Sequence, residues 1–483
     1  MALLPGHGSR ALIGGLALAA VVIALAPVTK AGSAGPTVLA AYTLTAPRSM
    51  VPSGLVARAV LPGGLPCPTM LVHQAGGADE RVSMKERVPP STTAPAFAAI
   101  TVCSASIPAG VTSASIDGRA IPASMPAAVH RLAMFGDSGC RIAGTWVQDC
   151  ADPTQWPLAR IAQSVAEAEP DVILFTGDFF YRESPCPTAN QAWCGTSPPP
   201  LMNAPFTDSA YGWLADAIVP MSPMFASAPM VAMRGNHEEC SRAGNGYFLL
   251  FDPRPDSVDT CAPTLVEGVL TAPAPTPTDS YAIDLPITDD RTLRLAVVDS
   301  NGGNDLIASP YAAVQRVAYQ QAAQLARPAA GRESWLLTHR PIYGFVTNEF
   351  AVPGVPFSPW SSADQAAAAW GLLDPYDLVV SSHLHQVEAV QLPGLPGQLV
   401  VGNGGTFLDP TVGYPLPTTG ANAGDGRTYP APPWAWNQSR FGYVIAEPQA
   451  QPGSWRFSMR DPDGRVFGRC GLKERQIFCR TAS

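Results

Sequence analysis

Val172-Ile173-Leu174-Phe175-Thr176-Gly177-Asp178-Phe179-Phe180-Tyr181 is the stretch on which the reading of this chain turns. Four consecutive apolar residues form a short strand. The strand runs into a glycine, which allows a sharp turn and close backbone approach. The turn delivers an acid. The same arrangement recurs on both sides. Upstream, Leu132-Ala133-Met134-Phe135 runs into Gly136-Asp137-Ser138-Gly139. Downstream, Met230 to Met233 leads to Arg234-Gly235-Asn236-His237-Glu238-Glu239. Trp335 to Leu337 leads to Thr338-His339-Arg340-Pro341, and Leu378-Val379-Val380 to Ser381-Ser382-His383-Leu384-His385. Helical segments are expected between them at Pro157 to Glu167, Leu214 to Val219 and Tyr311 to Leu325, and Leu293 to Val298 reads as a further strong strand. Strands alternating with helices indicate an α/β domain. In such sheets, sites form outside the carboxyl ends of the strands.

The chain has 483 residues, enough for one large domain and a smaller one. Hydrophobic residues make up 46%, which supplies a sizeable core. The formal charge of −8 argues against binding a nucleic-acid backbone, which needs clustered Lys and Arg. It leaves phosphorylated substrates open, because a metal ion can supply positive charge locally. There is no glycine period and no sustained heptad, so collagen-like and coiled-coil classes are excluded.

Arg10 precedes an uncharged run from Ala11 through Pro27, followed by Lys30-Ala31-Gly32-Ser33-Ala34. This reads as a signal peptide or N-terminal anchor over residues 1–31, giving a secreted, periplasmic or cell-envelope protein. Ten cysteines agree with export, since an even count in an exported chain suggests disulfides. They fall in sequence-local pairs: Cys67 and Cys103, Cys140 and Cys150, Cys186 and Cys194, Cys240 and Cys261, Cys470 and Cys479. Neighbour pairing is the expectation, although sequence alone leaves the connectivity open. Residues 32–125 are rich in Ala, Pro, Ser, Thr and Val and are expected to form a smaller β-rich N-terminal domain. Residues 126–483 are expected to form the α/β domain, with a β-like tail from about residue 386.

Of only seven histidines, four lie in the strand-end segments: His237, His339, His383 and His385. A lone Gly-Asp or Gly-Asn-His is common in turns. Five such segments, each after an apolar strand, point to a metal site. Together they resemble the calcineurin-like metallophosphoesterase superfamily, and within it the purple acid phosphatases, with Tyr181 three residues after Asp178 as the deciding residue. The resemblance covers residues 131–405. It implies a four-layer α/β/β/α sandwich and two metal ions. Asp137, Tyr181 and His385 would hold one metal together with Asp178. Asp178 would bridge to a second metal held by Asn236, His339 and His383. Phenolate and carboxylate suit Fe(III), while Asn oxygen and imidazoles suit divalent Zn, Mn or Fe. The implied reaction is hydrolysis of phosphate esters by attack of a metal-bound hydroxide. His237, just outside the metals, would protonate the leaving oxygen or stabilise charge there.

Further roles are expected nearby. Arg340 would reach the substrate phosphate, Tyr343 would line the cleft, and Glu238 would orient a histidine. Gly404-Gly405 would mark a loop close to the site. Cys140, Cys186 and Cys240, each close after a motif, would brace the ligand loops. One departure concerns Ser382, where the family pattern has glycine; a serine fits only if its backbone angles permit a side chain. Gly136-Asp137-Ser138-Gly139 also matches a serine-protease signature, but no upstream histidine sits in a suitable setting. No Walker-type loop is present. The alternatives that remain are a phosphodiesterase acting on cyclic nucleotides or phospholipid headgroups, and a non-catalytic envelope binding protein.

Overall fold

In a computed structural model of the chain, the described residues are 38–482 apart from 78, 90–93, 195–207, 257–260, 262–263, 267–268, 272–276, 348–356, 361, 411–425 and 431–433. The segment 1–31 read as a signal or anchor lies outside them, as do most of the proline-rich stretches at 272–277 and 414–434.

Two large sheets pack face to face. The first has eleven strands and is centred on three parallel ones, Leu132–Phe135, Val172–Phe175 and Met230–Ala232. Side chains alternate across each strand because successive Cβ atoms point to opposite faces. Leu132, Met134, Val172 and Leu174 enter the core between the sheets. Ala133, Phe135, Ile173 and Phe175 face the other way, toward the helix Leu158–Glu167 and the helical run 210–224. That helix presents Leu158, Ile161, Ala162 and Val165, an i, i+3, i+4, i+7 stripe, to the sheet.

The second sheet has seven strands, of which Arg291–Val297, Arg332–Leu337, Leu378–Ser381 and Gly397–Val401 are parallel. Leu295, Trp335, Leu337, Val380 and Leu399 meet the first sheet. Ala296, Leu336 and Val379 carry the opposite face, covered by the helices Tyr311–Leu325 and Ala363–Ala369. The result is the expected α/β/β/α sandwich. Fully apolar strands such as Val172–Phe175 are buried on both faces because each sheet is covered on both sides.

The N-terminal region is β-rich and is joined to the sandwich by main-chain hydrogen bonds. Ala40–Thr45 pairs in parallel with Met230–Ala232, and Leu55–Pro62 and Ile100–Ser106 continue the large sheet. A four-stranded sheet with Met70, Val72, Ala114 and Ile116 packs against Leu55, Ala57 and Ala59. Two buried arginines from this region reach the carboxyl end of the helix Gly244–Leu250. Arg58 Nε donates to Leu250 O at 3.2 Å and its Nη2 to Asp252 O. Arg87 Nε donates to Leu249 O at 2.9 Å and Nη2 to Phe248 O at 2.6 Å. The last carbonyls of a helix have no partner within it, and cations there also match the helix dipole.

The ten cysteines form the five expected neighbour disulfides, and none is free. Among the described residues no helix is long and apolar enough to cross a membrane.

Candidate metal centre

The three central strands of the first sheet lead directly into the loops that carry Asp137, Asp178 and Asn236. Strands Arg332–Leu337 and Leu378–Ser381 of the second lead into the loops that carry His339 and, in the latter case, His383 and His385. The two sheets therefore deliver the motif residues to one edge of the sandwich. The turns are tight. Asp137 (φ 55°), Asp178 (φ 59°) and His383 (φ 71°) adopt the left-handed backbone region, which costs energy for residues with a side chain and tends to cluster at functional sites. Gly235 is required by close approach, since a Cβ there would lie 2.1 Å from Asp178 Oδ1. The expected constraint on Ser382 falls one residue later: the positive φ belongs to His383. Ser382 instead donates its hydroxyl to Thr176 O at 2.8 Å.

The donors form two groups that share Asp178. In the first, Tyr181 OH lies 3.0 Å from Asp137 Oδ1, 2.7 Å from Asp178 Oδ2 and 2.9 Å from His385 Nε2. In the second, Asn236 Oδ1 lies 2.9 Å from His339 Nε2 and 2.6 Å from His383 Nδ1, and Asp178 Oδ2 lies 3.3 Å from His339 Nε2. Asp178, His339 and His383 each offer one ligand atom, all within 4.8 Å of one another.

This packing suits cations. A hydroxyl carries one proton, yet three acceptors crowd Tyr181 OH. His339 Nδ1 faces Thr176 O at 2.9 Å, so the proton sits there and Nε2 is a lone pair aimed at Asp178 and Asn236 oxygens. His383 is oriented likewise: Nε2 faces Asp305 Oδ2 at 3.3 Å, leaving Nδ1 toward Asn236. Lone pairs converging in a buried space repel unless a cation joins them. Burial and the Asp178 charge push Asp137 well above the usual carboxylate range. Burial together with Asp137 and Asp178 pushes the Tyr181 phenol well up.

His237 lies against this group, its ring 3.8 Å from that of Tyr181 and its Nε2 3.8 Å from Asp178 Oδ2. Nδ1 donates to Glu183 Oε1 at 2.9 Å. Arg242 Nη2 lies 2.7 and 2.9 Å from the two ring nitrogens. Burial and Arg242 push His237 down to about 3. Arg340 is at the other end, its Nη1 3.2 Å from His383 Nε2 and ion-paired with Asp305.

Two expectations are corrected. Glu238 orients no histidine. Its buried carboxylate accepts the backbone N–H groups of Asp178, Phe179, Phe180 and Gly235 at 2.8–3.0 Å, which ties two motif loops together. A carboxylate satisfies several converging N–H donors better than any neutral side chain. Tyr343 lines no cleft, because it is buried and its hydroxyl donates to Pro396 O. The Gly404-Gly405 loop does lie at the site: Gly404 N donates to Gly136 O at 3.0 Å and Thr406 N to Asp137 O at 3.0 Å.

Several supports were not foreseen. Asp216 sits in a π-bulge, Leu214–Ile218, and accepts from Cys140 N at 3.2 Å and Tyr181 N at 2.9 Å. Such bulges often occur at functional sites. Ser300 Oγ accepts the N–H groups of His339 and Arg340, both at 2.9 Å. Glu183, Asp305, Arg141 and Arg242 complete the surroundings. Of these, Arg141 and Glu183 carry a signal in sequence, following the Asp137 and Asp178 motifs within a few residues.

Comparison with known proteins agrees with this architecture. A family model described as calcineurin-like phosphoesterase matches residues 130–387. No curated protein matches the sequence significantly. Among solved structures, PhoD superposes with a TM-score of 0.52 at 11% identity, covering 94% of each chain. A purple acid phosphatase from yellow lupin (Lupinus luteus) seeds gives a TM-score of 0.49 at 13% identity over 88% of this chain and 72% of that one. GAP50, the anchor in the inner membrane complex of Plasmodium, gives 0.40 at 13% identity over 72% and 90%. The PhoD likeness speaks for the fold, and the family match carries the assignment: the chain belongs to the calcineurin-like phosphoesterases, metal-dependent hydrolases of phosphate esters.

Proposed function

We propose that this protein is an exported phosphomonoesterase of the purple acid phosphatase kind, using Fe(III) with a divalent Zn, Mn or Fe. The observation that carries the reading is the gathering of Asp137, Tyr181 and His385 on one side of Asp178, and of Asn236, His339 and His383 on the other. Asp137, Tyr181, His385 and Asp178 would hold the ferric ion, and Asp178, Asn236, His339 and His383 the divalent one. Bound there, the two ions supply Lewis acidity that ionises a water and screens the phosphate charge.

The chain's own residues do the rest. Glu238 and Asp216 hold the motif loops in place before substrate arrives, so little reorganisation is needed at the moment of reaction. Burial and Arg242 disfavour a proton on His237. A phosphate beside it adds negative charge, which favours its protonated form and lets it act on the leaving oxygen. Glu183 keeps its Nδ1 proton in place. Arg340 adds positive charge on the His383 side. The five disulfides support an oxidising compartment, hence export.

Metal analysis followed by assay of p-nitrophenyl phosphate and its bis-ester tests the reading. Hydrolysis of the monoester with Fe plus Zn, Mn or Fe is expected between about pH 4 and about pH 9. Failure to cleave either ester with any of these metals would overturn it.

A further inference from the structure

Arg141 lies four residues beyond Asp137, and its main chain is held on every side. Its N–H donates to Gln148 Oε1 at 3.0 Å, and Gln148 N donates to Arg141 O at 2.8 Å. Gln148 is fully buried and donates its amide to Gln155 O at 2.7 Å and Gly405 O at 2.8 Å. The Cys140–Cys150 disulfide closes the same turn. The backbone is therefore a rigid mount. The side chain is not buried: 28% of it is exposed. Its guanidinium lies 5.3 Å from the Tyr181 ring centroid, and Nη1 is 3.4 Å from His237 Nε2.

The charge balance at this end is uneven. Glu183 is the acid facing both Arg141 and Arg242. Arg242 takes it closely, with Nε at 2.6 Å, and His237 Nδ1 takes it at 2.9 Å. Arg141 Nη2 is left at 4.0 Å. Two guanidinium groups face this one carboxylate, and Arg242 holds it, so Arg141 is not closely paired by it.

A phosphomonoester presents three terminal oxygens and close to two negative charges. A diester presents two such oxygens and one charge. The planar guanidinium fork matches phosphate oxygens and remains charged at all working pH values. We propose that Arg141 is a specificity-determining residue that anchors a terminal oxygen of the substrate which only a monoester possesses, and so selects monoesters over diesters. This rests on the phosphoesterase reading above and deepens it by naming the substrate class. No bond forms or breaks at Arg141.

The test compares wild type with Arg141→Gln and Arg141→Lys, each metal-loaded and checked for metal content. Kinetics on p-nitrophenyl phosphate and its bis-ester are measured, together with binding of inorganic phosphate by calorimetry. For Arg141→Gln, KM for the monoester and Kd for phosphate should both rise by about tenfold to a hundredfold, the usual worth of a charged hydrogen bond. Bis-ester kcat/KM should stay within about twofold, and Arg141→Lys should recover part of the loss. Equal losses on both esters, or unchanged phosphate affinity in Arg141→Gln, would overturn the proposal while leaving the phosphoesterase reading intact. Wild type inactive on both esters would instead remove that reading. Should Arg141→Gln fail to fold, Arg141→Lys decides by the same ester ratio, because it keeps the stem and the charge but loses the fork.

Discussion

His339 Nε2 and Asp178 Oδ2 face each other at 3.3 Å, each presenting a lone pair, while His339 Nδ1 is committed to Thr176 O. Without a cation this contact opposes folding. A divalent ion should therefore raise the thermal midpoint, by the equivalent of about 2.7 kcal/mol at a hundredfold excess over its Kd. Asp178→Asn removes one side of the repulsion. Its metal-free form should be at least as stable as wild type and should lose the metal response. Its turnover should drop by about a thousandfold or more. Scanning calorimetry with and without chelator checks the first part, and steady-state kinetics the second.

Tyr181 OH meets Asp137, Asp178 and His385 within 3.0 Å. If it binds Fe(III) as phenolate, the iron-loaded protein is purple, and Tyr181→Phe loses the visible band while retaining the divalent ion. A colourless ferric protein, or an unchanged band in Tyr181→Phe, would contradict that role.

Asp305 orients His383 through Nε2 and is itself held by Arg340. Asp305→Ala should weaken affinity for the divalent ion by about tenfold to a hundredfold, as loss of a histidine's hydrogen-bond partner usually does. Competition against a coloured chelator measures this independently of turnover.

In the metal-free protein, burial pushes His237 down to about 3 and His383 down to about 4, and also lowers His385. The unfolded chain binds these protons near about pH 6.5, whereas the folded chain resists them. Folding stability is then fully present above about pH 6.5 and drains away as the pH falls toward those lower values. A thermal midpoint that declines from neutral to acid pH is expected, with a shallower decline in His237→Gln. A flat wild-type profile would argue that these histidines are hydrated.

Arg58 is buried and donates to Ser104 Oγ at 2.6 Å as well as to the carbonyls of Leu250 and Asp252. Arg58→Ala should cost about 3 kcal/mol in urea denaturation, because several buried acceptors lose their donor together. A change below about 0.5 kcal/mol would place the arginine's contribution at surface level.

The strands that carry the site were legible because burial is written locally. Val172–Phe175 is apolar throughout, and Tyr311–Leu325 keeps helical composition over its full length. The motif residues were legible because each follows such a strand directly. What stayed hidden depends on partners far along the chain. Glu238 looks like any loop acid until Asp178, Phe179 and Phe180 point their N–H groups at it across sixty residues of sequence. Asp305 has no strand before it to announce its meeting with His383. Tyr343 follows a motif histidine, but its ring turns inward. The pairing of Ala40–Thr45 with Met230–Ala232 likewise leaves no local trace, since strand composition does not name the neighbour.

That pairing also bears on the order of assembly. Leu132–Phe135, Val172–Phe175 and Met230–Ala232 are flanked in the sheet by Ala40–Thr45 on one side and by Tyr443–Pro448 on the other. The loops bearing Asp137, Asp178 and Asn236 thus acquire both walls only once residue 448 is available, and contacts of such long sequence separation form slowly. During synthesis Ala40–Thr45 emerges about four hundred residues ahead of Tyr443–Pro448, so the sheet that both strands flank is completed late and its unpaired edges stay open to holding factors until then.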